Sequence, residues 1–176
     1  MAIIEFQVGD VFATRNPMAL GAVIRGIERL WSRDSAANYS HSGIITSVNG
    51  DTFEALWTYA EQNIHVNYGD NKVLVARYTG TPRIGKLHPH TAIARLRREY
   101  KGRMYPFWRL ALHMIPPLAK INAFNRPVCS ELVAMYLHMI GARPFPWPST
   151  NPDTLVDEWR MWRDFEIVFE GVPSVR

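Results

Sequence analysis

Between residues 40 and 78 the chain offers four short runs of strand-forming residues in quick succession: 40–48, 52–59, 63–68 and 72–78. No other feature limits its fold as much. Asn49-Gly50 is a strong two-residue hairpin signal between the first two runs, because a type I′ turn needs positive φ at both central positions. Gly69-Asp70-Asn71 separates the last two and predicts a second hairpin. Strands this close in sequence pair antiparallel, since a parallel crossover would need a dozen or more residues between them.

The flanks supply helices. Residues 17–31 carry Leu20, Val23, Ile24, Ile27, Leu30 and Trp31 on one helical face. A short strand, 11–14, follows a turn at 7–10. Residues 91–103 predict a helix with Ile93, Leu96 and Tyr100 on its apolar side. Asn151 is a good N-cap before Pro152 and Asp153, so a helix is expected from there to about Trp162. Alternation over 165–169 predicts a closing strand. Residues 105–124 are crowded with apolar side chains around Pro116-Pro117, and read either as core or as the wall of an apolar cleft. The three prolines of 143–148 make a stiff extended link. Nothing divides the chain, so a single domain, 1–176, is expected.

With 47% hydrophobic and 20% charged residues among 176, the chain has a soluble protein's composition. It has no apolar run long enough to span a membrane, and residues 1–10 carry no secretory signal pattern. A cytoplasmic protein is expected, and a phage-encoded component would look the same. The net charge of +4 does not itself indicate nucleic acid. Arg95, Arg97, Arg98, Lys101 and Arg103 share a helix that has its own apolar face, and read as its solvated side. His88 and His90 flank Pro89 as loop residues without an acidic partner. The single cysteine excludes an internal disulfide and a thiolate zinc site. No cofactor, metal or nucleic acid is therefore expected.

That cysteine, Cys129, opens a segment with apolar residues at Leu132, Val133, Tyr136, Leu137 and Ile140, stopped by Gly141. The spacing is one face of a helix. A cysteine in the first turn meets unpaired N–H groups and the positive end of the helix dipole, which favour a thiolate. It is either a small buried hydrophobe or a nucleophile.

A nucleophilic thiol needs a base. Of six histidines, His65 falls in a predicted strand, His113 in the apolar stretch, and His138 about 13 Å along the cysteine's own helix at ~1.5 Å per residue. His41 opens a strand beside small Ser42 and Gly43. Glu54 lies on the returning strand. With a two-residue turn, Val48 faces Asp51 and Ile45 faces Glu54, so His41 and Glu54 share a face of the sheet but lie about four positions apart. Contact then requires a wider loop, a bulge or strong twist; otherwise Glu54 is an edge or barrel-mouth carboxylate.

Gly9-Asp10-Val11-Phe12, Tyr39-Ser40-His41-Ser42-Gly43-Ile44-Ile45, Phe53-Glu54-Ala55-Leu56 and Pro127-Val128-Cys129-Ser130-Glu131-Leu132-Val133, in this order, resemble the circularly permuted papain-like proteins. These form the YiiX-like branch of the NlpC-type peptidase superfamily, distantly related to the lecithin retinol acyltransferase group. Asn151-Pro152-Asp153-Thr154-Leu155 is similar to that family's helix start after the cysteine. The resemblance implies an α+β fold, an antiparallel sheet or small barrel packed against the cysteine helix. It implies a cysteine hydrolase with Cys129 as nucleophile, His41 as base, Glu54 as third member and Tyr105 at the oxyanion site or cleft wall. Its substrate would be a small peptide, an amino-acid amide or a lipid-like acyl ester. An acyltransferase, or a binding module of the same fold with an idle thiol, also fits.

Overall fold

The computed structural model describes residues 5–15, 39–81, 84–105, 126–143 and 150–173. The expected helix over 17–31, the apolar stretch after Tyr105 and the link at 144–148 lie outside them. The described residues form β1 (Val11–Thr14), β2 (His41–Ile45), β3 (Asp51–Ala55), β4 (Tyr59–Asn63), α1 (Ile64–Tyr68), β5 (Val73–Tyr78), α2 (Pro89–Tyr100), α3 (Cys129–Ile140), α4 (Pro152–Met161) and β6 (Phe165–Gly171). The six strands make one sheet in the order β4-β3-β2-β1-β5-β6. Every neighbouring pair is antiparallel.

Strand alternation sorts the core onto the two faces of this sheet. Val11, Ala13, Ile44, Phe53, Ala55, Leu74 and Ala76 meet residues of α2, α3 and α4 on one face. Phe12, Ile45, Val73 and Val75 meet Phe6, Ile64 and Tyr68 on the other. Three hydrogen bonds from distant parts of the chain fix α3 and its approach: Tyr59 Oη to the Pro127 carbonyl (2.6 Å), Ser130 Oγ to the Thr150 carbonyl (2.5 Å) and Tyr136 Oη to the Gly9 carbonyl (3.0 Å). At the helix start the Glu131 carboxylate accepts the Val128 N–H at 3.0 Å, satisfying a donor that the helix leaves over. Gly141 ends the helix at φ 85°, the left-handed conformation that glycine takes without a Cβ penalty. Asn151 Oδ1 caps α4 by accepting the Thr154 N–H at 2.7 Å.

Two expectations about the strands are corrected. The run 52–59 is not one strand. β3 stops at Ala55, the chain reverses through Leu56, Trp57 and Thr58, and Tyr59 then pairs with Ala55 as the start of β4. There is also no hairpin across 69–71, because residues 64–68 are the helix α1 and β5 pairs with β1 and β6 instead. The run Ile64, Val66, Tyr68 looked like a strand by its period of two. In the fold, Ile64 and Tyr68 are buried one helical turn apart while Val66 is exposed, and Asn63 Oδ1 caps the turn by accepting the His65 and Val66 N–H groups at 3.1 and 3.4 Å. His65 thus belongs to a helix, not a strand. The two histidines expected in a loop instead begin α2, with His88 at its N-cap position and His90 within it. The helix stops at Tyr100, short of the expected residue 103; Arg97 within it and Lys101 just past its end both pair with Glu61 on β4, at 3.0 and 3.1 Å.

Candidate active site

His41 is the first residue of β2, and its ring is buried. Phe12 meets it edge-on at 6.2 Å between centroids, and Tyr68 lies at 5.9 Å inclined by 31°. Its Nε2 is 2.7 Å from Glu54 Oε2. The register explains how the two meet. Ile45 pairs with Thr52, not Glu54, and Gly43 pairs with Glu54. The connection is therefore a wider loop than the expected two-residue turn, held by Thr46 N–H to the Asp51 carbonyl (2.7 Å) and by Ser47 Oγ to Asp51 Oδ2 (2.7 Å). A shift of two residues keeps His41 and Glu54 on the same face and halves their separation along the strands.

Glu54 is not at an edge. β3 is flanked by β2 and β4, and the carboxylate is fully buried. A buried carboxylate must have its oxygens satisfied. Oε1 accepts from Thr52 Oγ1 on the same strand. Oε2 accepts from Tyr68 Oη at 2.5 Å as well as facing His41. Thr52 and Tyr68 were not anticipated from the sequence. Thr52 lies two residues from Glu54, so strand parity could have placed it on that face. Tyr68 was hidden by reading α1 as a strand, although Asn63 carries the N-cap signal that would have revealed the helix.

Cys129 begins α3 and is 6% exposed. It is a free thiol that lies beside the His41 ring, close enough to act on its protonation. Since Glu54 occupies Nε2, Nδ1 is the ring nitrogen left for the sulfur. Burial disfavours a charge on His41. The hydrogen bonds to Cys129 and Glu54 and their negative charges outweigh it, so its pKa rises from 6.5 to about 10.

Tyr105 is buried beside the cysteine, with its hydroxyl at the Cys129 backbone N–H. Its main chain is held by a 2.9 Å bond from its N–H to the Trp57 carbonyl. Burial first, and then the negative charge at Cys129, push its phenol well above 10, so it stays protonated. His65 and His138 stand apart from this group. His65 packs on Phe6 at 5.5 Å, and His138 Nδ1 lies 3.1 Å from the Arg143 carbonyl at the far end of α3. Cys129, His41, Glu54 and Tyr105 thus lie side by side, drawn from α3, β2, β3 and the segment after α2.

No protein-family model and no curated protein matches the chain. Among solved structures it is similar to the crystal structure of metalloprotein YiiX from Escherichia coli O157:H7, with a TM-score of 0.53 and 19% identity over 95% of this chain and 87% of that one. At that identity the likeness concerns architecture alone: the chain has a YiiX-like α+β fold built on a six-stranded antiparallel sheet.

Proposed function

We propose that the chain is a cysteine hydrolase of the permuted papain-like kind within the NlpC-type superfamily, cleaving an amide or acyl ester through a covalent thioester. The observation that carries this reading is the two-sided engagement of His41, by Glu54 at 2.7 Å on one side and by Cys129 on the other. A base held by a third group beside a thiol at a helix start is the arrangement that nucleophilic catalysis requires.

In this mechanism the Cys129 sulfur, as thiolate beside the His41 imidazolium, attacks the carbonyl carbon and forms a C–S bond. The incoming oxyanion takes over the Cys129 N–H from the Tyr105 oxygen, and the Tyr105 hydroxyl turns to donate to it as well. His41 gives its Nδ1 proton to the leaving nitrogen or oxygen as that bond breaks. Neutral His41 then takes a proton from water, whose oxygen adds to the thioester. The C–S bond breaks, releasing the acid and restoring thiolate and imidazolium. Glu54 keeps the ring in the one orientation that serves both steps.

The structural neighbour is described as a metalloprotein, whereas the described residues of this chain do not fit a resident metal. The Glu54 oxygens are engaged by Thr52, Tyr68 and His41. Among the described residues no group of three or more His, Cys, Asp or Glu side chains is placed to hold one. Trp57, next to Thr58, and Met104, which bridges Thr58 and precedes Tyr105, are exposed apolar residues, which favours a substrate with an apolar part.

The test is the intact mass of the protein after incubation with p-nitrophenyl acyl esters, amino-acid p-nitroanilides and short peptides ending in D-amino acids. A thioester adduct on the Cys129 peptide is expected, absent in Cys129→Ala. Turnover of these donors by Cys129→Ala at the wild-type rate would refute the mechanism.

A further inference from the structure

Tyr68 has no part in the steps above, yet its hydroxyl is 2.5 Å from the same Glu54 oxygen, Oε2, that faces His41 at 2.7 Å. One oxygen serves two donors, so what one receives the other loses. The phenol is buried at the end of α1, between Phe12 at 5.6 Å and the His41 ring. Burial first, and the Glu54 charge next, keep it protonated at every accessible pH, so it is a permanent donor.

Tyr68 is not the sole hold on Glu54. Thr52 holds the other oxygen. The aliphatic part of Glu54 lies against Gly43, so closely that a Cβ there would come within 2.8 Å of Glu54 Cγ. The carboxylate is therefore pinned by β2 and its own strand.

We propose that Tyr68 is a positioning residue that acts through Glu54, drawing charge on Oε2 away from His41 and so setting how firmly the imidazolium keeps its proton. This rests on the cysteine–histidine pairing proposed above. Its chemical sense is that the ring must surrender its proton to the leaving group. An imidazolium facing a fully unshared carboxylate does so reluctantly, whereas a shared oxygen loosens the hold. The titratable groups facing His41 are Glu54 from β3, Cys129 from α3 and Tyr68 from α1; β1 presents uncharged Phe12.

The experiment is the pH dependence of Cys129 alkylation by iodoacetate, whose negative charge makes the rate fall when His41 loses its proton. The basic limb of the wild-type profile reports that loss. Tyr68→Phe is expected to move this limb up by about half to one unit, and Glu54→Gln to move it down. Incorporation of 3,5-difluorotyrosine at position 68, which retains the ring and strengthens donation, should move it down and covers the case in which Tyr68→Phe fails to fold. A limb unmoved or lowered in Tyr68→Phe, with Glu54→Gln lowered as expected, overturns the role of Tyr68 and leaves the pairing intact. A wild-type profile that is a single rise near the pKa of an ordinary thiol overturns both.

Discussion

Gly43 lies directly opposite Glu54 in the β2–β3 ladder, and the missing side chain is what lets the carboxylate cross β2 to His41. A Cβ at position 43 would stand 2.6 Å from Phe12 Cε1 and 2.8 Å from Glu54 Cγ. Both neighbours are fully buried and cannot withdraw to solvent. Gly43→Ala should therefore cost about 1–3 kcal/mol by overpacking and lengthen the His41–Glu54 contact. Urea denaturation and the Cys129 alkylation rate at pH 6 measure the two effects, and both should fall.

The raised pKa of His41 makes a signed prediction about stability. A group whose folded value lies above its unfolded one contributes stability below the unfolded value and loses it as the pH climbs to the folded one. For His41 the contribution is complete below about 6.5 and is lost progressively up to about 10. Urea midpoints taken at pH 6, 8 and 10 should thus fall more steeply for the wild type than for His41→Gln. Equal slopes would mean that His41 is not held as the imidazolium.

Asp10 supplies a control that is structural and not chemical. It is buried where the chain enters β1, and Arg77 on β5 grips both its oxygens at 2.8 and 2.9 Å. Arg77→Met leaves that buried carboxylate without its counter-charge, although the Gln7 N–H still donates to it at 2.8 Å, and should cost about 3 kcal/mol. The alkylation rate of the folded variant should match the wild type, since neither residue touches the cysteine site.

How far the site could be read from the sequence depended on the kind of information each residue needed. The helix start at Cys129, its stop at Gly141, the cap at Asn151 and the shared parity of positions 41 and 54 follow from local pattern, and the fold has each of them. The separation of His41 from Glu54 depended on loop length. Asn49-Gly50 suggested the tightest turn, whereas the hydrogen bonds of Ser47 and Asp51 stabilise a wider one. α1 failed for a different reason. Ile64, Val66 and Tyr68 satisfy both a strand's period and, through Ile64 and Tyr68 alone, a helical turn. Burial of those two against Phe12 and Ile45 decides it, and such packing is visible only in three dimensions.

Tyr105 separates transition-state binding from thiol activation. If its hydroxyl shares the oxyanion with the Cys129 N–H, Tyr105→Phe should lower the rate of acyl transfer to the cysteine by roughly 100-fold, the usual effect of losing one such donor. Alkylation by iodoacetamide, which develops no oxyanion, should proceed at the wild-type rate. Equal loss in both reactions would make Tyr105 a packing residue only.

The central claim is that thiol, imidazole and carboxylate act as one unit, and the most direct measurement is the rate of iodoacetamide labelling of Cys129 at pH 6. An ordinary thiol with a pKa of about 8.5 is almost wholly protonated there. The account predicts fast labelling in the wild type, strongly slowed in His41→Ala and partly slowed in Glu54→Gln. Slow labelling of the folded wild type, unchanged by either substitution, would contradict it.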